Sequence, residues 1–228
     1  MSETPDQPEL LSLIIQPGHQ CGLDEVGRGA LAGPLVAAAI ITPEDIVERL
    51  GPLARFLRDS KTVPAARRRE IARALRRCAI TYEIVTIPTA QINEHGIGWA
   101  NREAFRQLII LISADEYVLD GKVRPPRPDG CAGVIRCLPK ADALVPAVSA
   151  ASLIAKVYRD RLMRKLAAQY PHYGWDRNAG YGVPTHLAAL QEHGPSPEHR
   201  TLFVATALSG GQKAKRAARR AMTPELLS

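Results

Sequence analysis

Apolar positions recur in different rhythms along the chain, and each rhythm predicts a different element. Between Gln20 and Thr42, two apolar stretches, CGLDEV and LVAAAIIT, flank a turn holding Gly27, Gly29, Gly33 and Pro34, which is the pattern of a strand hairpin. The segment AITYEIVTIP, from Ala79, is rich in β-branched residues and reads as a further strand. The rhythm then turns helical in GWANREAFRQLIILIS, and EYVLDG at 116–121 follows as a short buried strand ending at Asp120. CAGVIRCLPKADA predicts another strand, ending near Asp142. In SAASLIAKVYRDRLMRKLAAQY, Ala150, Leu153, Ile154 and Val157 fall on one face of an amphipathic helix. Past Pro171 come a loop with Gly174, Gly180 and Gly182, a helix LAALQEH and a last short helical stretch. Strands first, then strands alternating with helices, predict an α/β layer architecture on a mixed sheet. The chain contains no internal repeat.

Composition narrows the class. The chain has 228 residues, 46% hydrophobic and 23% charged, a balance ordinary for a globular chain that can bury a sizeable core. No apolar run reaches the ~18 residues a bilayer crossing needs. The start, MSETPDQPEL, lacks the basic and apolar regions of a secretion signal. The expectation is therefore a cytosolic protein. Cys21, Cys78, Cys131 and Cys137 show no CxxC pairing and read as small apolar residues in a reducing compartment.

The net charge of +7 hints at a polyanionic partner but says nothing about placement. Residues 1–12 carry three acids and no base, an acidic leader expected to be disordered. Residues 209–228 carry five bases and one acid, a cationic tail. Between Arg55 and Arg77, nine bases face two acids, a local net of +7. Pro64 suits a first helical turn, and Ile71, Leu75 and Cys78 follow at i, i+4 and i+7. This stretch therefore reads as a helix with one buried stripe and an arginine-covered remainder. Such a run is ordinarily a solvated face, unless a nearby site needs phosphates.

Four acids fall at predicted strand ends or just beyond: Asp24, Glu25, Asp120 and Asp142. In open α/β sheets such ends gather at one rim, so distant acids can converge. Converging carboxylates repel unless cations share the site, and oxygen-only ligands suit Mg²⁺ or Mn²⁺. A pair of such ions can drive phosphodiester hydrolysis. Asp24 and Glu25 pose a geometric difficulty, because successive strand side chains point to opposite faces. They share a site only if the strand ends or bends there, and Gly27 and Gly29 make a bend plausible. His186 and His193 lie seven apart on one helix, too far for an easy shared metal, and read as structural. Asp160 sits within a helix with Arg164 four residues on and reads as a surface ion pair.

Five blocks now stand out in order: CGLDEVGRGALAGPLVAAAII, DSK at 59–61, EYVLDG, KADALVPAVSAASLIAKVYRD at 140–160, and GYGVPTHLAALQEHGPSPEHR at 180–200. Together they resemble the ribonuclease HII family, the type 2 ribonucleases H, over nearly all of the chain from Cys21 to Phe203. The resemblance implies a ribonuclease H-like fold, a five-stranded mixed sheet flanked by helices with a helical C-terminal extension. It divides the chain into a leader at 1–17, a catalytic core at 18–165, the extension with its tyrosine loop at 166–208, and a basic tail at 209–228. It also implies a monomeric endonuclease that uses two Mg²⁺ or Mn²⁺ ions. Such an enzyme cuts the RNA strand of RNA–DNA hybrids and nicks duplex DNA 5′ of an embedded ribonucleotide.

By that resemblance the catalytic, metal-holding quartet is Asp24, Glu25, Asp120 and Asp142, with Asp24 shared by both ions. Gly27, Arg28 and Gly29 resemble the family's ribonucleotide-reading turn, whose backbone can reach the 2′-hydroxyl that distinguishes RNA from DNA. Tyr181 matches the tyrosine that stacks on the deoxyribose after the ribonucleotide. Lys61 and Arg28 are implied phosphate contacts. The chain departs from the usual pattern at Ala141, Tyr158 and Gly182–Val183. The stretch before Cys21 is short for the extra N-terminal domain of the related ribonuclease HIII group. Two alternatives stay open: a hybrid-binding protein without catalysis, expected to lack one of the acids, and another metal nuclease on the same fold, which would have no use for 2′-hydroxyl readout.

Overall fold

The computed structural model describes residues 19–57 and 63–210. The leader, the DSK block with Lys61, and the tail from 211 onward lie outside the described residues. Positions 209 and 210, assigned to the tail by the sequence reading, close a helical stretch over 201–210.

Five strands form one sheet: β1 (Gln20–Val26), β2 (Leu35–Ile41), β3 (Thr81–Ile87), β4 (Glu116–Asp120) and β5 (Val134–Leu138). Their order is β3-β2-β1-β4-β5. β1 to β3 pair antiparallel as a meander, while β4 lies parallel to β1 and β5 parallel to β4. β2 is buried at every position, and its unbroken LVAAAII run follows from being covered on both faces.

The helices are α1 (Ile46–Leu50), α2 (Ala65–Cys78), α3 (Thr89–His95), α4 (Ile97–Leu111), α5 (Ala141–Leu144), α6 (Pro146–Gln169), α7 (Trp175–Asn178) and α8 (Pro184–His193). On one face, Leu23, Leu35, Ala37 and Ala39 pack against Ala100, Ala104, Phe105 and Leu108 of α4. On the other, Val36, Ala38 and Ile40 pack against Ile71 and Leu75 of α2 and Ala150, Leu153 and Ile154 of α6. No described helix is long and apolar enough to cross a membrane.

α6 is the central helix of that second layer, and one residue sets how near it comes. A Cβ at Gly22 would lie 2.2 Å from the Ala147 carbonyl carbon and 2.3 Å from the Val148 nitrogen. Glycine here admits the helix backbone against β1, where Asp24 points toward the same side. α6 also runs unbroken across 165–166, where the sequence reading divides core from extension.

A third apolar cluster joins Leu31, Ala32 and Met163 to Tyr173, Trp175, Leu190 and Val204, folding the C-terminal segment onto the end of α6. Beneath it His186 and His199 are fully buried. The Trp175 indole donates to His186 Nε2 at 3.0 Å, and the two imidazole Nε2 atoms lie 3.1 Å apart. His199 Nδ1 accepts from the Ser196 amide, so its Nε2 carries the hydrogen, and His186 Nδ1–H donates to the Tyr181 carbonyl at 2.9 Å. Burial pulls both imidazoles below their ordinary range, His199 down to about 4 with His186 beside it, and the bonding pattern is that of two neutral rings. His186 is structural, as the sequence suggests. Its partner is His199 rather than His193.

Three expectations need correction. Asp142 is not at a strand end: β5 stops at Leu138, and Asp142 sits in the first turn of α5. Asp160 pairs not with Arg164 but with Lys156 at 2.7 Å and Arg68 at 3.8 Å, because its helix lies against α2. Val157 does not join the fully buried face of α6; it is half-buried and lines a surface groove.

Gly22→Ala should destabilise the protein by about 1–3 kcal/mol or more, since backbone cannot rotate out of the way. Urea unfolding monitored by circular dichroism measures this, and an unchanged midpoint would show that α6 does not need the close approach.

Candidate active site

Parallel pairing brings the acids together. Leu23 of β1 is in register with Leu119 of β4, and Asp24 and Asp120 are the next residues on each strand. Asp120 Oδ1 accepts from the Ala141 amide at 2.8 Å, which ties the end of β4 to the start of α5. Asp142 is thereby carried to the same rim. Glu25 belongs by alternation to the Leu23 face, yet β1 ends at Val26 and the chain turns away at Gly27, φ +87°. Both carboxylates therefore reach one pocket, resolving the difficulty posed by their adjacency.

That pocket, about 350 Å³, is lined by Asp24, Glu25, Asp120 and Asp142 together with Gly27, Arg28, Gly29 and Tyr181. Eight of the nine residues singled out in the sequence thus converge, and the ninth, Lys61, lies outside the described residues. The sequence reading missed Ser152, Lys156 and Arg68, which also line the pocket. Ser152 and Lys156 are four apart on α6, one above the other with Asp160 a further turn on, and that spacing was the available signal.

The electrostatics are strained. Burial, followed by the charges of Glu25 and Asp120, holds the Asp24 carboxyl well above its ordinary range, despite hydrogen bonds from Ser152 and from the Glu25 amide at 2.8 Å. Glu25 is pushed up to about 7, first by burial and then by Asp120, against the pull of Arg28. The Arg28 guanidinium stands 3.7 Å from Glu25 and remains half exposed. Glu25 Oε2 is buried without a hydrogen-bond partner among the described residues.

An all-oxygen donor set with an orphaned buried carboxylate oxygen fits a hard divalent cation. Among the described residues no three His, Cys, Asp or Glu side chains already close around one ion-sized position. The four acids line an open pocket rather than a finished cage.

Two buried arginines build the loops around these acids. Arg159 donates to the carbonyls of Pro34, Ala32 and Ala179 at 2.8–3.0 Å. Arg200 donates to Gly33 twice and to the Arg28 carbonyl, also at 2.8–3.0 Å. Both are fully buried. A Cβ at Gly27 would sit 2.1 Å from Arg159 Nε, so glycine is required both for the turn and for this packing. The Leu31 and Ala32 amides bond the Gly180 carbonyl, placing Tyr181 beside the Gly27–Gly29 turn. Its ring, about one-third exposed, has the Arg159 guanidinium 5.7 Å from its centre.

Solved structures share this architecture. A chain in the PCNA–ribonuclease HII complex of Archaeoglobus fulgidus is 26% identical, with a TM-score of 0.66 over 79% of this chain and 91% of that one. The ribonuclease H2 of Pyrococcus horikoshii OT3, 24% identical, gives the same TM-score over 85% and 99%. The fold is therefore ribonuclease H-like, a five-stranded mixed sheet flanked by helices as the motifs implied. The family model "Ribonuclease HII" matches residues 21–206. The ribonuclease HII of Novosphingobium aromaticivorans is 43% identical over 197 residues, covering 82% of this chain and 95% of that protein. The chain belongs to the ribonuclease HII family, and with that membership goes metal-dependent ribonuclease H activity.

A raised carboxyl binds protons more tightly folded than unfolded, so it costs stability as pH rises through the folded value. Asp24→Asn or Glu25→Gln should therefore stabilise the metal-free protein at pH 8, on the order of 1–3 kcal/mol, and less at pH 5. Thermal melts in chelator at both pH values test this. Stability unchanged or lowered at pH 8 would show that the two carboxylates are not in conflict.

Proposed function

We propose that the chain is an endonuclease that cuts the RNA strand of RNA–DNA hybrids and nicks duplex DNA on the 5′ side of an embedded ribonucleotide. It leaves 3′-hydroxyl and 5′-phosphate ends, uses two divalent ions, Mg²⁺ or Mn²⁺, and works as a cytoplasmic monomer. One observation carries this reading: four carboxylates share a single pocket with a glycine turn and an exposed tyrosine. A hybrid-binding protein without catalysis would have no reason to gather four acids in one pocket, where the charges of Glu25 and Asp120 oppose ionisation of a buried Asp24.

Asp24, Glu25, Asp120 and Asp142 would hold the ions, and a bound ion would give Glu25 Oε2 the partner it lacks among the described residues. Divalent ions there would supply the Lewis acidity that activates water and stabilises the departing oxygen. The protein's own part is orientation. Gly29 is exposed, and a Cβ there would meet no protein atom within 4 Å, so a sugar can approach the turn's backbone. Amides and carbonyls of Gly27–Gly29 then read the 2′-hydroxyl. The Arg28 carbonyl is held in place by Arg200, while the half-exposed Arg28 side chain, now beside Glu25, can swing toward a phosphate. The Tyr181 ring stacks on the following deoxyribose, its backbone fixed by His186. Lys156 and Arg68, braced by Asp160, neutralise phosphates entering the pocket.

The decisive assay incubates purified protein and Mg²⁺ or Mn²⁺ with a duplex containing one ribonucleotide and maps the cut. A single cut 5′ of the ribonucleotide is expected, and Asp24→Asn should slow it more than about 100-fold while hybrid binding persists. Full activity in that variant would remove Asp24 from the metal site. Tyr181→Ala should lose several times more rate on the single ribonucleotide than on a continuous hybrid; equal losses would end its assignment to the RNA–DNA junction.

A further inference from the structure

A groove of about 340 Å³ lies outside the active site, between α2, β3 and α6. Its walls carry five arginines: Arg69, Arg73 and Arg76 from α2, and Arg161 and Arg164 from α6. None of the five has an ion-pair partner among the described residues, and Arg76 Nε is buried with no hydrogen-bond acceptor. The acids described on the same three elements beside the groove are engaged or face away. Glu70 is taken by Arg67 at 2.6 Å, and Asp160 by Lys156 and Arg68. Glu83 is exposed on β3, where alternation turns it from the face that carries Tyr82 and Ile84.

Five uncompensated guanidinium groups around one concavity repel one another, and a solvated helix face would spread them rather than gather them from two helices. The floor is aromatic and apolar. Tyr82, with the Arg76 guanidinium 5.7 Å from its ring centre, and Tyr158 line it beside Val157. Planar, permanently charged donors over such a floor suit phosphate recognition.

The same two helices reach the active site. Arg68 and Lys156 line the catalytic pocket, and Arg69 and Val157, the next residues, line the groove. From Lys156 to Arg164 the α6 axis advances about 12 Å at 1.5 Å per residue. That is the length of roughly three phosphates along one duplex strand.

We infer that this groove is a second nucleic-acid site, which holds the phosphodiester backbone of the duplex flanking the cut. The inference rests on the nuclease reading for the identity of its ligand. The ligand class is a polyanionic backbone, bound without sequence preference, because guanidinium–phosphate pairs carry no base information.

The test uses full-length protein with Arg73→Ala and Arg161→Ala combined. Both residues are exposed, and an unchanged thermal melt confirms folding. Binding to a fluorescent hybrid duplex is measured by anisotropy in chelator across a salt series. On a duplex extending well past the ribonucleotide on both sides, the double variant should bind about tenfold more weakly at low salt. Its log–log salt slope should fall by about 2, one for each lost phosphate contact. On a duplex trimmed to a few base pairs around the ribonucleotide, the difference should shrink below twofold. Arg73→Lys with Arg161→Lys should restore most of the slope. Equal slopes for wild type and the alanine variant on the long duplex, or a lysine variant as weak as the alanine one, would overturn the groove assignment. Cleavage with Mg²⁺ is scored separately. A wild-type protein that binds but cannot cut would overturn the nuclease reading and leave the groove assignment to its own outcome.

Discussion

Arg159 and Arg200 end on main-chain carbonyls rather than on carboxylates, and the site hangs from them. Desolvating a cation costs several kcal/mol, and burial pulls both below their ordinary range, Arg200 to about 9. What offsets that cost is a fan of charge-assisted hydrogen bonds to carbonyls of 28–34 and to Ala179. These carbonyls belong to a connection between two strands that has no regular ladder of its own. Without the two cations, several of them would be buried and unsatisfied. The turn that borders Asp24 and Glu25 is thus shaped from beneath by residues of α6 and of the C-terminal segment.

The charges of the molecule sort around this frame. Acids collect where β1 and β4 end and α5 begins, and there the charges of Glu25 and Asp120 raise the cost of ionising Asp24. Bases collect along α2 and α6, the helices that flank the rim. Asp160 stands between the two populations. Its pairing with Lys156 and Arg68 ties α2 to α6. Opposite fields side by side suit a substrate that is anionic along its length but must be attacked at a point where only bound cations make negative charge tolerable.

Much of this was legible in the chain. The five strands, the basic helix and the long helix follow from apolar rhythm, and the ordered blocks name the four acids, the glycine turn and Tyr181. The sequence predicts a strand running to near Asp142 because CAGVIRCLPKADA carries no sign that Lys140 adopts a left-handed conformation, φ 64°, and separates the strand from a new helix. Asp160 was given the wrong partner because a spacing of four reports only neighbours on one helix. Arg159 and Arg200 left no signal as buried groups. Arginine is rarely buried without a carboxylate partner, and their acceptors lie 20 to 172 residues away on a backbone that carries no side-chain signature. Val157 shows the same limit, since helical periodicity names a face but not what packs against it.

The bond from Arg200 to the Arg28 carbonyl also imposes an order in time. A chain leaving the ribosome from its N-terminus can pair β1 with β2 early, and β4 joins about 75 residues later. The turn beside the first two acids nevertheless lacks one of its supports until residue 200 has emerged. Domains fold as their sequence becomes available during synthesis, so the acids reach the sheet rim well before the turn that borders them is secured. A nascent chain therefore carries a nearly complete sheet and no finished site, and competence for cutting arrives with its last helices.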